Sequence, residues 1–296
     1  MHCQIQVEPG EAMISVPVPQ GFEYQKTVVD FSANLFIDLI NNRVKVKSYL
    51  CWNFNAFNDY LEYIAATNNL SKTIIIAPES DWQQLFFLGY SLEAINPWFF
   101  QGKPGFHLSR FLTPERNTAN FMREEDANLK QALRANQSLK SLSTGYQIRT
   151  ADKNDIPGLI KLFSKVFKSY PTPLNNQVYL EKKLSDGTVF KIVKYEQEIV
   201  SAASLDIDSR TKSAELTDCA TLPDFRGQGL MSHLITNLEA EAVRLGLFTV
   251  YTIARALSVG INTVFARHGY KYGGRFINNC DICGKFEDMN LWSKKL

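Results

Sequence analysis

Apolar residues recur along this chain in two rhythms, every second position and every third to fourth, and the alternation between the two lays out its elements. Residues 35–40 and 44–50 alternate as strands around Asn41-Asn42, a hairpin turn. Phe57, Tyr60, Leu61 and Ile64 then fall at helical spacing and predict a helix over 56–66. A β-branched run at 73–76 predicts a strand, and residues 82–88 predict a helix capped by Ser80 or Asp81 and closed by Gly89. Two further strands, 92–100 and 106–112, are joined by the turn sequence Gln-Gly-Lys-Pro-Gly. Ahead of these, residues 1–30 read as irregular or β structure punctuated by Pro9-Gly10, Pro17 and Pro19.

From 113 to 145 the pattern fades into a polar, charged connector with one solvated helix over 122–135, which sets a domain boundary. It resumes with a strand at 146–149 and a helix with the apolar face Ile156, Leu159, Ile160, Phe163 and Phe167, Asp152 and Asp155 forming its capping box. Tyr170-Pro171-Thr172-Pro173 breaks that helix, and a short one follows over 177–183. Strands at 189–195 and 199–206 lead to a third over 213–221, a helix from Leu230 closed by Gly246, a strand at 249–253, a helix over 258–268, and strands at 272–282 and 289–292. The order is mixed α/β, and its halves rhyme. Leu85-Phe86-Phe87-Leu88-Gly89-Tyr90 before two strands matches Phe265-Ala266-Arg267-His268-Gly269-Tyr270 before two strands.

Between strand 213–221 and the helix at Leu230 lies Arg226-Gly227-Gln228-Gly229. Such a loop is either a tight connection or an anion cradle. In a cradle, the glycines let backbone N–H groups approach a pyrophosphate, the helix N-terminus adds its dipole, and Arg226 adds a cation.

Composition narrows the chemistry. Hydrophobic content of 45% with 21% charge is that of a soluble globular protein, without an apolar run long enough to span a membrane or a leader pattern, so the cytoplasm is expected. Net charge is +2, with 12 basic against 14 acidic residues over 1–145 and 20 against 16 over 146–296. No basic block interleaved with aromatics argues for nucleic acid. Cys3, Cys51, Cys219, Cys280 and Cys283 are an odd set expected to stay reduced. Cys280-x-x-Cys283 has no second pair or spaced histidines, so no metal is expected, and His2, His107, His233 and His268 read as solvent-facing or locally satisfied.

The loop and its flanking elements resemble the GNAT superfamily of N-acetyltransferases, whose acyl-CoA motif Gln/Arg-x-x-Gly-x-Gly/Ala is matched by Arg226-Gly227-Gln228-Gly229-Leu230-Met231, with Met231 in place of a small residue. The resemblance covers residues 146–296 and implies a GNAT fold there. Residues 1–112 would form a smaller αβ domain whose 34–112 portion is a degenerate GNAT-like unit without the loop, and 113–145 a linker. Glu-Leu-Thr-Asp-Cys-Ala-Thr from Glu215, Ala254-Arg255-Ala256-Leu257-Ser258, Ile277-Asn278-Asn279-Cys280 and Phe286-Glu287-Asp288-Met289-Asn290-Leu291-Trp292 look like the β-lysine N6-acetyltransferases. That likeness implies a small-molecule amine partner, β-lysine, acetylated by acetyl-CoA in a ternary complex to give the compatible solute N6-acetyl-β-lysine. The alternatives are another amino acid, polyamine or peptide amine, or a non-catalytic acyl-CoA regulator. No nucleic acid or membrane partner is expected, and the protein is a monomer or homodimer.

Residue by residue, the resemblance implies that the backbone of Cys219, Ala220 and Thr221 pairs with the pantetheine arm and that N–H groups from Gly227 through Gln228, Gly229, Leu230 and Met231 to Ser232 take the pyrophosphate. Ser258 and Asn262 face the pantetheine, and Phe265 stands where many members have a Tyr acid. An aliphatic amine must lose its proton before it attacks a thioester, so a base or a desolvating site beside the thioester is needed. Glu215 is the first candidate base. Asp218, on the opposite face of a regular strand, is a second candidate, as base or amine ligand. A substrate with two ammonium groups and one carboxylate asks for acids and a cation. Glu287 and Asp288 are candidates for the former, Arg255 or Arg275 for the latter, with Tyr170 and Asn279 lining the site.

Overall fold

The computed structural model describes residues 2–17, 21–135, 141–168 and 170–296. Pro19 and the 136–140 part of the polar connector lie outside the described residues. A short ribbon of β1 (His2–Ile5) and β2 (Ile14–Pro17) precedes the main body. The first half then runs β3 (Phe22–Thr27), β4 (Phe31–Asp38), β5 (Arg43–Cys51), α1 (Phe54–Thr67), β6 (Lys72–Ala77), α2 (Trp82–Phe87), β7 (Ser91–Phe100) and β8 (Lys103–Phe111). After α3 (Met122–Leu133), the second half runs β9 (Tyr146–Thr150), α4 (Ile156–Val166), α5 (Gln177–Ser185), β10 (Val189–Tyr195), β11 (Glu198–Asp208), β12 (Ser213–Thr221), α6 (Leu230–Arg244), β13 (Thr249–Arg255), α7 (Val259–Arg267), β14 (Lys271–Ile282) and β15 (Lys285–Lys295). The expected mixed α/β order is found.

Helix boundaries follow local chemistry. The Asn53 side chain accepts from the Ala56 N–H and starts α1, whose Phe57, Leu61, Ile64 and Ala65 are buried under β5 and β6. The Asp152/Asp155 capping box closes a 3-10 turn, Lys153–Asp155, from which α4 continues. At α2 the expected side-chain cap is not made. Asp81 instead accepts from the Tyr49 hydroxyl at 2.9 Å and from Ser80 at 2.5 Å.

One thirteen-stranded sheet runs in the order β3-β4-β5-β6-β8-β7-β14-β15-β13-β12-β11-β10-β9. Read outward from the β7–β14 junction, the two halves share one topology. β4, β5, β6, β8 and β7 correspond to β11, β12, β13, β15 and β14, each half with one parallel pair, β5 with β6 and β12 with β13. Irregularities repeat as well. The β7–β8 ladder slips at Leu92/Ala94 and Asn96/Phe100, and the β14–β15 ladder slips at Tyr272/Gly274 and Phe276/Cys280. The hairpin turns place Asn42 at φ 50° and Lys212 at φ 49°, and Gln101 at φ 50° and Cys283 at φ 55°. Tyr90 and Tyr270, after the matching glycines, both bury hydroxyls without a partner.

The seam depends on two glycines. A Cβ on Gly273 would stand 2.4 Å from the Ile95 carbonyl oxygen, and one on Gly274, at φ +143°, 2.2 Å from that of Glu93. Beside them the buried Lys72 pairs with Glu93 at 2.8 Å and donates to the Ile277 carbonyl at 2.7 Å, and Glu93 accepts from the Ile277 N–H. Arg43 of β5 donates to the Asn279 carbonyl at 2.7 Å, and the Asp281 N–H donates to Asn41. Each half keeps its own apolar core, one built on Phe57, Leu61 and Leu108 and the other on Leu216, Leu234 and Trp292. Between them the seam joins these polar contacts to a third apolar cluster, Ala94 of β7 with Phe276, Cys280, Ile282, Met289 and Leu291 of β14 and β15.

Candidate active site

Parallel pairing of β12 with β13 ends early, covering residues 213–215 against 249–251, although β12 continues to Thr221 and β13 to Arg255. The strands splay, and a cavity of about 1300 Å³ opens between them, walled by Glu215, Thr217, Cys219 and Thr221 on one side and Thr252, Ile253 and Ala254 on the other. No strand covers this edge of β12 beyond Glu215 among the described residues, so its peptide groups face the gap. A bulge shapes the same strand. Ala202 pairs with Ala220 and Ser204 with Thr217, leaving Asp218 and Cys219 opposite Ala203, with Asp218 in the left-handed region at φ +53°.

The glycine loop borders one end of the cavity. Gly227 is at φ +75° with nothing within 4 Å of where a Cβ would stand, and Gly229, at φ +83°, is the N-cap of α6. Arg226 Nε donates to the Thr221 carbonyl at 3.2 Å, which folds the loop back onto the strand it leaves. Leu230, Met231 and Ser232 line the cavity, and Met231 also packs on the second-half core. Open backbone at a helix N-terminus beside an arginine, next to an uncovered strand edge, fits a pyrophosphate carrying an amide-bearing arm, as in a coenzyme A thioester. Gln228 does not line the cavity, because the Tyr146 hydroxyl donates to its side-chain oxygen.

Carboxylates gather on the adjoining wall. Asp206 of β11 lies directly across from Glu215, and Lys183 of α5 donates to Asp206 and Asp218 at 2.9 Å each. Ser204 also donates to Asp218, at 2.8 Å. Asp218 Oδ2 therefore carries both Lys183 and Ser204, while Asp206 Oδ1 is buried without a partner. Burial pushes the Glu215 carboxyl up to about 7, with Asp206 and Asp218 pushing the same way and Lys45 and Lys183 opposing. A carboxyl tuned to that range is half ionised near neutral pH, as a general base requires. Tyr170, stacked on Phe167 at 4.3 Å, lines the cavity, and burial raises its hydroxyl pKa well above the ordinary value.

Several expected site residues lie elsewhere or are already engaged. The Asp218 carboxylate does not face away from the site, because the bulge ends the regular alternation and Asp218 lines the cavity. Asn262 is fully buried. Its amide donates to the Arg255 and Ser258 carbonyls, and its oxygen accepts from Asn290 and from the Trp292 indole at 2.7 Å, so nothing is left for a pantetheine. Phe265 is buried against Tyr270, off the cavity wall, whereas Ser258 is on it; the Ala220 side chain is in the core, its expected contact being through backbone. Arg255 and Glu287 neutralise each other through two bonds at 2.6 and 2.7 Å. Arg275 is held by Glu125 and Asp126 of α3 and by Asn290, away from the cavity. Asp288 is buried, accepting from the Asn278 N–H and facing Glu125, whose carboxyl burial and Asp288 push up to about 7. Asn279 does line the cavity, with its side-chain oxygen taken by Arg43.

His107 is neither solvent-facing nor satisfied. It is buried on the cavity wall with Nε2 unpartnered, and burial lowers its pKa to about 3. His233 and His268 also bury unpartnered Nε2 atoms. The five cysteines form no disulfide. Among the described residues no group of three or more His, Cys, Asp or Glu is placed to hold a metal ion, and no helix is long and apolar enough to cross a membrane.

The sequence left open a first half that closes one wall of the pocket but singled out none of the residues that do so: Arg43, Lys45, Ile74, Ile76 and His107 all line the cavity. Lys45 left a signal, since it interrupts the apolar run Val44-Lys45-Val46 on the strand before a parallel crossover. Lys183 and Asp206 left none beyond being charges at the ends of their elements.

The profile of the acetyltransferase (GNAT) family matches residues 156–270. The chain is 35% identical over 260 residues to the N-acetyltransferase YodP of Bacillus subtilis, covering 88% of this chain and 94% of that protein. It is 32% identical over 258 residues to a β-lysine N(6)-acetyltransferase of Methanosarcina mazei, covering 80% and 95%. Against a protein of the same name from Methanococcus maripaludis it is 33% identical over 208 residues, covering 70% and 76%.

Proposed function

The chain belongs to the acetyltransferase (GNAT) family and is an acetyl-CoA-dependent N-acetyltransferase, and from that premise we propose that its acceptor is the N6 amine of β-lysine. The product would be N6-acetyl-β-lysine, a compatible solute. The acidic wall carries this reading: Glu215, tuned to about 7, stands with Asp206 and Asp218 on the cavity. A doubly ammonium-bearing acceptor matches that charge, and the names of two relatives support it.

In the reaction a C–N bond forms and a C–S bond breaks. Glu215 takes the proton of the bound ammonium, directly or through water, so that the neutral amine attacks the thioester carbonyl, and the second proton, lost from nitrogen as the tetrahedral intermediate collapses, passes to the departing thiolate or to water. Asp206 and Asp218, steadied by Lys183, hold positive charge at the site. The uncovered edge of β12 supplies N–H groups toward the thioester oxygen. A thiol of ordinary pKa, about 8.5, leaves largely as thiolate, so the lack of a hydroxyl at Phe265 does not block the step. On the same reading residues 146–296 form the acetyltransferase domain, 113–145 the connector, and 1–112 a unit carrying a GNAT-like copy without the glycine loop.

The test is thiol release from acetyl-CoA with a panel of β-lysine, lysine, ornithine, spermidine and a lysine-containing peptide. β-Lysine should give the highest kcat/KM. An advantage of about tenfold or more for any other amine overturns the substrate assignment.

A further inference from the structure

The acid wall accounts for the ammonium groups of such an acceptor and leaves its carboxylate without a partner. Of the second half's cations on the cavity, Lys183 is spent on Asp206 and Asp218 and Arg255 on Glu287, while Arg267 is exposed to solvent. Arg43 is spent on Asp38 and Asn279, and Arg226 belongs to the loop. Lys45 differs from all of these. It lines the cavity, yet among the described residues no carboxylate lies within 4.0 Å of its ammonium and no hydrogen bond is made to it.

Its position is set by the duplicated topology. The hairpin β4–β5 closes on Asp38 and Arg43, and β11–β12 on Asp208 and Ser213, so Lys45 and Glu215 each stand two residues into the returning strand. Each also pairs across the parallel ladder, Lys45 with Ile74 and Glu215 with Tyr251. The two halves thus present the same strand position to one cavity from opposite sides, one as a carboxyl and the other as an ammonium. His107 of β8 lines the same cavity with its buried Nε2 unpartnered, close enough to Lys45 to feel its charge.

We propose that Lys45 receives the carboxylate of the amino-acid acceptor, so that the half without the glycine loop selects which amine is acetylated. This rests on the acceptor being an amino acid, as argued above. Lys45 is only partly exposed, and an ammonium partly withdrawn from water without a partner carries a cost that an incoming carboxylate reduces. The other charged groups acting on Lys45 do not replace one. Arg43 opposes its charge, while Glu215 and Asp38 favour it from a distance. Burial lowers its pKa, and a bound carboxylate would raise it again.

The experiment compares β-lysine with 1,4-diaminopentane, the same diamine without the carboxylate, in the wild-type protein, Lys45→Met and Lys45→Arg. Loss of Lys45 also removes a charge that lowers the Glu215 pKa, an effect common to both acceptors, so the ratio of their kcat/KM values isolates the interaction with the carboxylate. Wild type should prefer β-lysine. Lys45→Met should cut that preference by about 10- to 100-fold, mostly through KM, and Lys45→Arg should restore part of it. Equal losses for both acceptors, or an unchanged ratio, overturn the proposal. If lysine or ornithine proves the better substrate, the β-lysine assignment fails while lysine against cadaverine, or ornithine against putrescine, reads Lys45 in the same way. Turnover of carboxylate-free amines only, or of none, overturns it outright.

Discussion

Replacing Glu215 by Gln removes the proposed base and keeps its shape. An acceptor amine with an ordinary pKa of about 10.4 is neutral in only about 4 molecules in 10,000 at pH 7, equivalent to about 4–5 kcal/mol. In the wild type, Glu215 near 7 accepts that proton within the complex, so kcat/KM should rise tenfold per pH unit up to about 7 and then level. In Glu215→Gln the reaction depends on amine deprotonated in bulk, and its rate should keep rising to about pH 10. At pH 7 we expect a loss of about 10²- to 10³-fold in kcat, shrinking about tenfold per pH unit above that as bulk deprotonation takes over. Thiol release measured from pH 5.5 to 10 reads both curves. Parallel profiles, or a variant within about threefold of wild type at pH 7, refute the assignment. Stability gives an independent reading with a fixed sign. Glu215 sits at about 7 in the fold against 4.5 ordinarily, so between those values the folded protein keeps a proton that the unfolded chain has lost. Stability from this group therefore falls as pH rises through that window, by at most about 3 kcal/mol. The Gln variant should lose that slope, gaining Tm relative to wild type at pH 8 but not at pH 4.5.

Lys183→Met should leave Asp206 and Asp218 facing each other uncompensated, at a cost of about 3–5 kcal/mol in urea unfolding. Because Lys183 also lowers the Glu215 pKa, the acidic limb of kcat/KM should move above 7, and an unmoved limb would separate Lys183 from the base. Asn262→Ala strands the Trp292 indole and the Asn290 amide, so we expect about 2–6 kcal/mol of destabilisation with KM for acetyl-CoA unchanged in the folded fraction. A large rise in that KM would return Asn262 to the cofactor site. Arg226→Ala should raise KM for acetyl-CoA about fivefold, near 1 kcal/mol, with kcat unchanged and the difference fading as salt is added.

Elements with strong periodicity were legible in the sequence. The hairpin around Asn41-Asn42, the apolar face of α4 and the loop before Leu230 all declare themselves through spacing, caps or glycine chemistry. Side chains whose roles depend on distant partners were not. Asn262 sits one turn after Ser258 on α7 and so reads as facing the same way, yet its side-chain oxygen is taken by Asn290 and Trp292 on β15, almost thirty residues on. Arg255 and Glu287 looked like separate ligands because their pairing crosses two strands. Asp218 was assigned by regular alternation, which the bulge interrupts, and a bulge needs the partner strand to be seen. The seam was least legible of all, because the close approach at Gly273-Gly274 is a property of two strands far apart in sequence.

That seam governs how the site is assembled. A cavity shared by Lys45 and Glu215 works only if the two halves keep a fixed spacing, since the attraction between charges falls with separation and, away from water, a small displacement weakens it sharply. A flexible joint would leave the first half as a loosely tethered neighbour. Here the halves are continuous through one sheet, the glycines let the backbones touch, and the Lys72–Glu93 pair is bonded to the backbone of β14 at both ends. Buried ion pairs contribute little net stability against an apolar alternative, but they penalise any shift that separates them. The polar seam is thus better understood as setting register than as adding stability. It follows that Lys72→Met with Glu93→Leu together, which also strands the Ile277 N–H and carbonyl and the Ser109 hydroxyl, should cost a few kcal/mol, on the order of 1–3 for each stranded group, and loosen the cavity. The signature would be a smaller acceptor preference at unchanged KM for acetyl-CoA, a separation that a simple loss of folding would not produce.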